Sequence, residues 1–383
     1  MVDAYQKLRI LAPAAAIEPA EDVDLVGRRM PLRHTAGSLK DCISHATLPG
    51  GKKVPILKTL VSSVCENDCN YCAFRAGRDI RRETFIPDEL AYLSQQIYQQ
   101  KLIKGVFLSS GLIGGGPRTQ DKLIETAEIL RRKYQFTGYL HLKIMPDAEK
   151  DQIRAAMQWA DRLSVNLEAP NAQRLASLAP KKAFSQGLMQ RLKWIDELRQ
   201  EMIGRKPSIC TQFVVGAVGE TDVELLLTSS YLYNDLHLAR TYFSGFNPID
   251  DTPLEHHPPI VLKREQRLYQ ASSLLRDYDF DVEELPFTKQ GNLPLDQDPK
   301  MVWAGENLRE KPMEINTAER KMLIRVPGIG VKSAERILQQ RKMGTISELS
   351  HLKRMGIPTK RAAPFILLDG RSMPRQLTLW AVS

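Results

Sequence analysis

The chain has 383 residues and a net charge of +9, with no apolar run near the ~18 residues that span a membrane. Its composition is that of an ordinary soluble globular protein, long enough for two or three folding units. The start, MVDAYQKLRILAPAAAIEPAED, lacks the charged head and long apolar core of a secretory signal, so a cytoplasmic location is expected.

Residues 1–53 read as an N-terminal extension, with a helical start and loops ending at Leu48-Pro49-Gly50-Gly51. Six short apolar or β-branched runs follow: Pro55–Cys65, Val106–Gly111, Tyr139–Met145, Arg162–Ala169, Ser208–Gly216 and Leu238–Gly245. Amphipathic stretches separate them. Helix starts are marked by Pro87-Asp88, Thr119, Ser185 and Thr221, and a further helix, REQRLYQASSLLRDY, follows Glu255. Strands separated by helices pair in parallel, which predicts an α/β fold: a partial (β/α)6 barrel over 54–280, with a doubly wound open sheet as the alternative. In both, ligands collect at the C-terminal ends of the strands.

Just past the first strand stands VCENDCNYC, with Cys65, Cys69 and Cys72 spaced C-x3-C-x2-C. In a cytoplasmic chain such thiols are metal or redox groups rather than disulfides. Zinc sites close with four ligands, usually in C-x2-C pairs, and no second pair exists here. A thioredoxin-type pair leaves Cys65 unexplained. A 4Fe-4S cluster takes one thiolate per iron, so three leave one iron open to a ligand.

The strands carry further polar residues. In Tyr139–Met145, alternation puts Tyr139, His141 and Lys143 on one face, a pattern that suits a strand lining a cavity. Lys143, nearest the strand's end, can reach a carboxylate or phosphate. Asn166 and Glu168 are two apart and share a face, as do Arg240 and Tyr242. Gly114-Gly115-Gly116-Pro117 allows close approach of backbone to a ligand. Cys210 reads as a buried small hydrophobe, Cys42 stays unassigned in a predicted loop, and His256-His257 reads as a loop feature.

Residues 281–311 are rich in Pro, Asp and Gly and read as a connector. From Lys311 onward there are 14 Lys/Arg and 5 Asp/Glu, so the whole excess of +9 lies in this last segment. Such a segment suits a polyanion, with a solvated basic face as the plain alternative. In Val326-Pro327-Gly328-Ile329-Gly330-Val331-Lys332, the glycines allow a tight turn between helices. Amides at the start of the second helix are then free for a phosphate, with Lys332 beside them. LKRMGI, followed by Pro358-Thr359-Lys360-Arg361, looks like a weaker second copy.

Two resemblances follow from these motifs. With Tyr71 before the last cysteine, the C-x3-C-x-Φ-C signature resembles the radical S-adenosylmethionine (SAM) superfamily over 54–280. That resemblance implies a 4Fe-4S cluster on Cys65, Cys69 and Cys72, SAM on the open iron, and its reductive cleavage to a 5′-deoxyadenosyl radical. It also implies contacts to SAM from Ser109-Ser110-Gly111, although the glutamate usual there is missing. Asn166 and Glu168 would hold the ribose, and Gly216 to Glu220 would lie near the adenine. VPGIG resembles the helix-hairpin-helix motif of DNA repair proteins. Together with VFLSSG, GYLHLKIMP, DRLSVNLEAP and RTYFSGFNPI, it makes nearly the whole chain resemble a family of DNA modification/repair radical SAM proteins.

The expected molecule is thus a (β/α)6 radical SAM barrel followed by an all-α helix-hairpin-helix domain over 312–383, binding nucleic acid through Gly328, Gly330, Lys332, Lys360 and Arg361. The family implies a partner of the uracil-DNA glycosylase superfamily, and reductive cleavage needs an electron donor such as flavodoxin or ferredoxin. No membrane association is expected. RNA modification, and a DNA-binding scaffold with a structural or redox-sensing cluster, stand as alternatives.

Overall fold

A computed structural model describes residues 3–15, 37–47 and 53–372. The expected loop at Leu48–Gly51 and the last residues of the tail, 373–383, lie outside the described residues. Contacts divide the chain into two units, 1–220 with 231–265, and 221–230 with 266–383.

The first unit is built on one seven-stranded sheet in sequential order. Its strands are β1 (Ile43–Thr47), β2 (Lys53–Leu60), β3 (Gly105–Ser109), β4 (Tyr139–Lys143), β5 (Arg162–Ser164), β6 (Ser208–Val215) and β7 (Arg240–Gly245). All six expected strands are present, and β2 to β7 pair in parallel. A doubly wound sheet would reverse its order partway, so that alternative is excluded. β1 was not expected. It pairs antiparallel with β2 and turns the residues after Cys42 from a loop into an edge strand. Cys42 itself ends a 3-10 turn and is buried. Its run, ISHAT, is too short and too polar to announce a strand.

Helix α1 (Ala4–Ala14) buries Leu8 and Leu11 completely. Between strands lie α2 (Pro87–Gln99), α3 (Gly115–Arg132), α4 (Lys150–Trp159), α5 (Ala172–Leu178) and α6 (Gln190–Glu201). Here α2 packs on α3, α3 on α4 and α4 on α6. Helix α3 starts four residues before Thr119, which bonds back to the Gly115 carbonyl at 2.9 Å instead of capping. Ser185 lies in a π-helical turn, Phe184–Met189, that leads into α6.

The register explains the two faces of the sheet. Lys58 pairs with Phe107, Phe107 with His141, and His141 with Arg162. Side chains of one parity, including Leu57, Leu108, Leu142 and Leu163, are buried and apolar. The opposite parity mixes polar and apolar side chains, and its residues from β3 to β7 line one narrow cleft: Phe107, His141, Ser164, Cys210 and Tyr242. Side chains of five strands meet in one cleft only if the sheet curls, which makes it a half-barrel.

The second unit includes most of α7 (Asp222–Asn234) and α8 (Leu262–Asp277), then α9 (Pro299–Asn307), α10 (Arg320–Leu323), α11 (Val331–Arg341), α12 (Leu349–Arg354) and α13 (Thr359–Ala362). The segment read as a connector carries α9. Arg325 is buried over the rings of Phe280 and Trp303, at 4.4 and 5.2 Å, and pairs with Glu284. The expected all-α tail is corrected by a small sheet of β8 (Met313–Glu314), β9 (Ile366–Leu368) and β10 (Arg371–Ser372). Asp369 and Gly370 both have positive φ, at 53 and 70°, and form the tight Asp-Gly hairpin that joins β9 to β10.

Candidate active site and glycine turns

The three thiols stand on the loop that leaves β2. Cys69 is buried, while Cys65 and Cys72 are half-buried. The amide of Cys72 donates to the Cys69 carbonyl at 3.2 Å, and the amide of Phe74 donates to Cys72 Sγ at 3.4 Å. Leu112, after β3, donates its amide to Cys65 Sγ at 3.5 Å. Burial raises the pKa of Cys69 and, with the charge of Cys69, pushes Cys72 up to about 12. The metal-free fold therefore keeps Cys69 and Cys72 protonated. No group of three or more His, Cys, Asp or Glu gathers around one ion among the described residues. A cubane does not require that, because each thiolate binds a different iron.

Ser109 ends β3, buried, and its carbonyl accepts the Val61 amide at 2.8 Å. Ser110 turns its hydroxyl to the Gly111 carbonyl at 2.7 Å. Gly111 lies so close to the cysteine loop that a Cβ there would stand 2.2 Å from the Val64 carbonyl oxygen. The Gly114 and Gly115 amides, expected near a ligand, instead donate to Glu66 at 2.6 and 3.2 Å. A carboxylate from the cysteine loop thus caps the start of α3 and matches its dipole.

Asn166 and Glu168 are both buried. Asn166 donates to Gln212 at 3.2 Å, deep in the curl of the sheet. Glu168 has φ at 66°, a left-handed conformation that costs a non-glycine residue energy and is held by its surroundings. Its amide donates to the Gln212 carbonyl at 2.9 Å, and its carbonyl accepts from Val214 at 2.7 Å. Lys182 donates to Glu168 Oε1 at 2.8 Å, and Oε2 is buried without a partner among the described residues. Tyr71 faces the same carboxylate; burial and then that charge raise its pKa. Burial opposes the Glu168 charge, but Lys182 and Lys143 outweigh it and keep Glu168 ionised. Removing one partner of such a buried pair costs about 3–5 kcal/mol.

Lys182 and its neighbours escaped the sequence reading. The segment from Ser177 to Lys182 docks on the cysteine loop. Asn70 donates its amide to the Leu178 carbonyl and its side chain to the Ser177 carbonyl, each at 2.9 Å, and Lys181 reaches the Glu66 carbonyl at 3.2 Å. The only signal was a lysine pair after a proline. Burial opposes the Lys182 charge, and the Glu168 carboxylate keeps it ionised.

Lys143 and His141 lie buried on the polar face of β4. His141 contacts Ser164 Oγ at 2.9 Å, and burial, with Arg162, Lys143 and Lys58 nearby, pushes its pKa well down, so the ring is neutral. Cys210 is buried as expected, 3.9 Å from that ring. Tyr242 accepts from Arg162 at 3.2 Å. Gly216 has φ at 91°, and its amide donates to Glu220. Glu220 also accepts the Val218 amide at 3.3 Å and pairs with Arg264 at 3.6 Å, so its carboxylate braces its own loop.

In the second unit, two helix pairs each enclose a glycine turn. Gly328, between α10 and α11, has φ at 85°, and Gly356, between α12 and α13, has φ at 73°. Gly330 differs from expectation. It caps α11 at φ –96°, a conformation open to any residue. Lys332 and Lys360 are exposed, while Arg361 is exposed and pairs with Asp298. Lys300 donates to the Ile329 carbonyl at 2.8 Å and lies 4.4 Å from the Tyr278 ring.

Burial pushes the Lys300 pKa down to about 7, with Asp298 opposing and Arg361 reinforcing. The unfolded chain then holds a proton that the fold lacks from about pH 7 up to the ordinary lysine range. Stability contributed at this site should therefore rise with pH across that window. Urea midpoints at several pH values check it: Lys300→Met should flatten the rise, and an unchanged slope would refute it.

These features define a class: a parallel half-barrel whose first parallel strand delivers three thiols to the C-terminal edge, facing a buried carboxylate with an unmet oxygen. The donor set of three thiols and the buried Glu168 carboxylate beside it fit a cluster and a polar ligand. Residues 59–232 match the model of the Radical SAM superfamily, so the chain contains a domain of that superfamily. Its proteins are enzymes that use a 4Fe-4S cluster and SAM, and the scaffold alternative falls away.

Over 216 residues the chain is 24% identical to the threonylcarbamoyladenosine tRNA methylthiotransferase MtaB of Thermotoga maritima, covering 54% of this chain and 48% of that protein. It is 25% identical over 220 residues to an uncharacterized protein of Methanocaldococcus jannaschii, covering 54% of this chain and 53% of that one. The chain thus spans about half the length of the curated relatives it matches. Methylornithine synthase (PylB) superposes with a TM-score of 0.47 at 15% identity, over 58% of this chain and 61% of that one.

Proposed function

We propose that the protein is a radical SAM enzyme that modifies or repairs nucleic acid, with DNA as its target. The observation that supports a nucleic-acid target is the pair of glycine turns in a segment with 14 basic and 5 acidic residues, and the resemblance of VPGIG to DNA repair proteins favours DNA. A glycine turn before an α-helix offers backbone N–H groups to phosphate, and Lys332 and Lys360 add charge without reading sequence. A base acted on by the half-barrel would have to leave the stack.

In this reading residues 54–280 carry the chemistry, 281–311 connect, and 312–383 bind nucleic acid as a helix-hairpin-helix domain. Cys65, Cys69 and Cys72 hold the cluster. Ser109, Ser110 and Gly111 meet SAM with backbone and hydroxyl groups, Asn166 and Glu168 hold its ribose, Lys143 offers charge to a carboxylate, and Tyr71 and the Gly216–Glu220 loop close around it. Bound there, the cluster and SAM would supply radical chemistry able to act on an unreactive carbon–hydrogen bond. The enzyme works in the cytoplasm, draws electrons from a flavodoxin- or ferredoxin-like donor, and acts beside a uracil-DNA glycosylase-superfamily protein.

A second reading, tRNA as target, is favoured by the likeness to a tRNA methylthiotransferase. Binding of duplex DNA and of tRNA at several salt concentrations separates the two. DNA affinity should exceed tRNA affinity and fall steeply with salt. Valine at Gly328 would meet the Pro358 carbonyl oxygen at 3.0 Å in a left-handed backbone. Gly328→Val should weaken binding about tenfold, or about 1.4 kcal/mol, and Gly330→Val should weaken it less. Unchanged affinity in Gly328→Val would rule out the turn as the binding element.

A further inference from the structure

The cysteine loop is long, and something besides its thiols must hold it. From Leu60 to Pro87 the chain forms no helix or strand, only an isolated bridge between Ser62 and Thr84. Segments of this length without secondary structure are uncommon in compact units unless they are functional. The neck is zipped by the Phe85 amide on the Val61 carbonyl at 2.8 Å and the Ser63 amide on the Glu83 carbonyl at 3.1 Å.

Inside the loop, the carbonyls of Ser63, Phe74 and Arg75 receive no backbone donor among the described residues. A half-buried carbonyl left without a donor is costly. One side chain serves all three. Arg82 Nη1 donates to Ser63 O at 2.7 Å and to Phe74 O at 3.1 Å. Its Nη2 donates to Arg75 O at 2.9 Å and, more loosely, to Arg78 O at 3.5 Å. The neighbouring Glu83 carboxylate goes to Arg81 at 2.9 Å instead.

We infer that Arg82 is a positioning residue for the cluster site. Its fork ties the chain before Cys65 to the chain after Cys72 and closes the loop where the three thiols take up iron. The inference rests on the cluster reading of those thiols. A planar guanidinium with donors along two edges can bridge carbonyls on both sides, whereas an ammonium is a point donor. Arg78, donating to Ala73 O at 2.6 Å, and Arg75, donating to Asp68 O at 3.2 Å, repeat the device inside the loop. Arginine side chains here do what amides do in a helix.

The test uses full-length protein reconstituted without oxygen from ferrous iron and sulfide. Groups that orient metal ligands typically matter about 10–100-fold for affinity. Arg82→Met should lower cluster absorbance and bound sulfide at limiting iron by about tenfold or more, with Arg82→Lys between. Added methylguanidinium should restore the Met variant towards wild type. In metal-free protein, amide exchange should quicken across residues 63–82 of both variants, while β2 to β7 keep wild-type protection. Wild-type loading by Arg82→Met overturns the inference, as does a loss that methylguanidinium fails to reverse with the sheet still protected. If Met also unprotects the sheet, Arg82→Lys decides by the same readouts. Wild-type protein that forms no cluster would instead refute the cluster reading itself.

Discussion

Alanine at any one of Cys65, Cys69 or Cys72 is expected to abolish both the cluster and the release of 5′-deoxyadenosine. Three thiolates would anchor three irons, and Cys42 and Cys210 are buried on other elements, with no group of three or more metal-binding side chains gathered among the described residues. Nucleic-acid affinity should be unchanged, because the glycine turns and exposed lysines are separate in the chain. Absorbance, iron content and product release under anaerobic reduction check the first part, and a binding titration checks the second. A single-alanine protein that still cleaves SAM would refute the assignment.

The same thiols give a pH dependence with a definite sign. The fold raises Cys72 from the ordinary thiol value to about 12, so the unfolded chain releases this proton first as pH rises. The metal-free fold loses stability from this group above the ordinary thiol pKa. Metal binding needs thiolates and expels those protons, so cluster loading improves with rising pH and fails in acid.

Gly111→Ala should rank next in effect. Its Cβ would lie 2.2 Å from Val64 O, 2.9 Å from Val64 C and 3.2 Å from Cys65 Cβ. The obstacle is backbone, which cannot rotate away, and the Gly111 amide is already committed to the Ser62 carbonyl at 2.7 Å. The segment carrying Cys65 must shift. Overpacking of this kind costs about 1–3 kcal/mol, and the displaced thiol should cost most of the cluster. Iron per chain and thermal midpoint check both parts; a variant that loads iron like wild type would show that Val64 can retreat. This contact gives the serine-serine-glycine end of β3 a physical role that does not depend on a carboxylate there.

The buried pair of Glu168 and Lys182 joins the curled sheet to the segment that docks on the cysteine loop. Glu168 was legible from its spacing to Asn166. Lys182 was not, because it comes from a different segment and is brought in by Asn70 docking on the carbonyls of Ser177 and Leu178. Glu66 likewise sits inside the cysteine motif, where a reader looks at the sulfurs, yet its carboxylate caps α3. Glu220 lies in a Gly-rich loop, and its carboxylate holds that loop and pairs with Arg264, contacts that no local spacing announced.

What the sequence determined by itself is local and periodic. Alternation in Tyr139–Lys143 announced a strand with a polar face, helices between strands required parallel pairing, and the cysteine spacing named the chemistry. Each of these depends on residues close together in the chain, where covalent geometry already sets the neighbours. Tertiary structure alone decided what depends on distant segments. It set the antiparallel edge strand Ile43–Thr47, the small sheet in the tail, the Lys182 partner of Glu168, and the guanidinium of Arg82 on carbonyls either side of the thiols. No spacing rule encodes such pairings, because a buried charge or an unmet carbonyl finds its partner only once the sheet and its loops have closed around it.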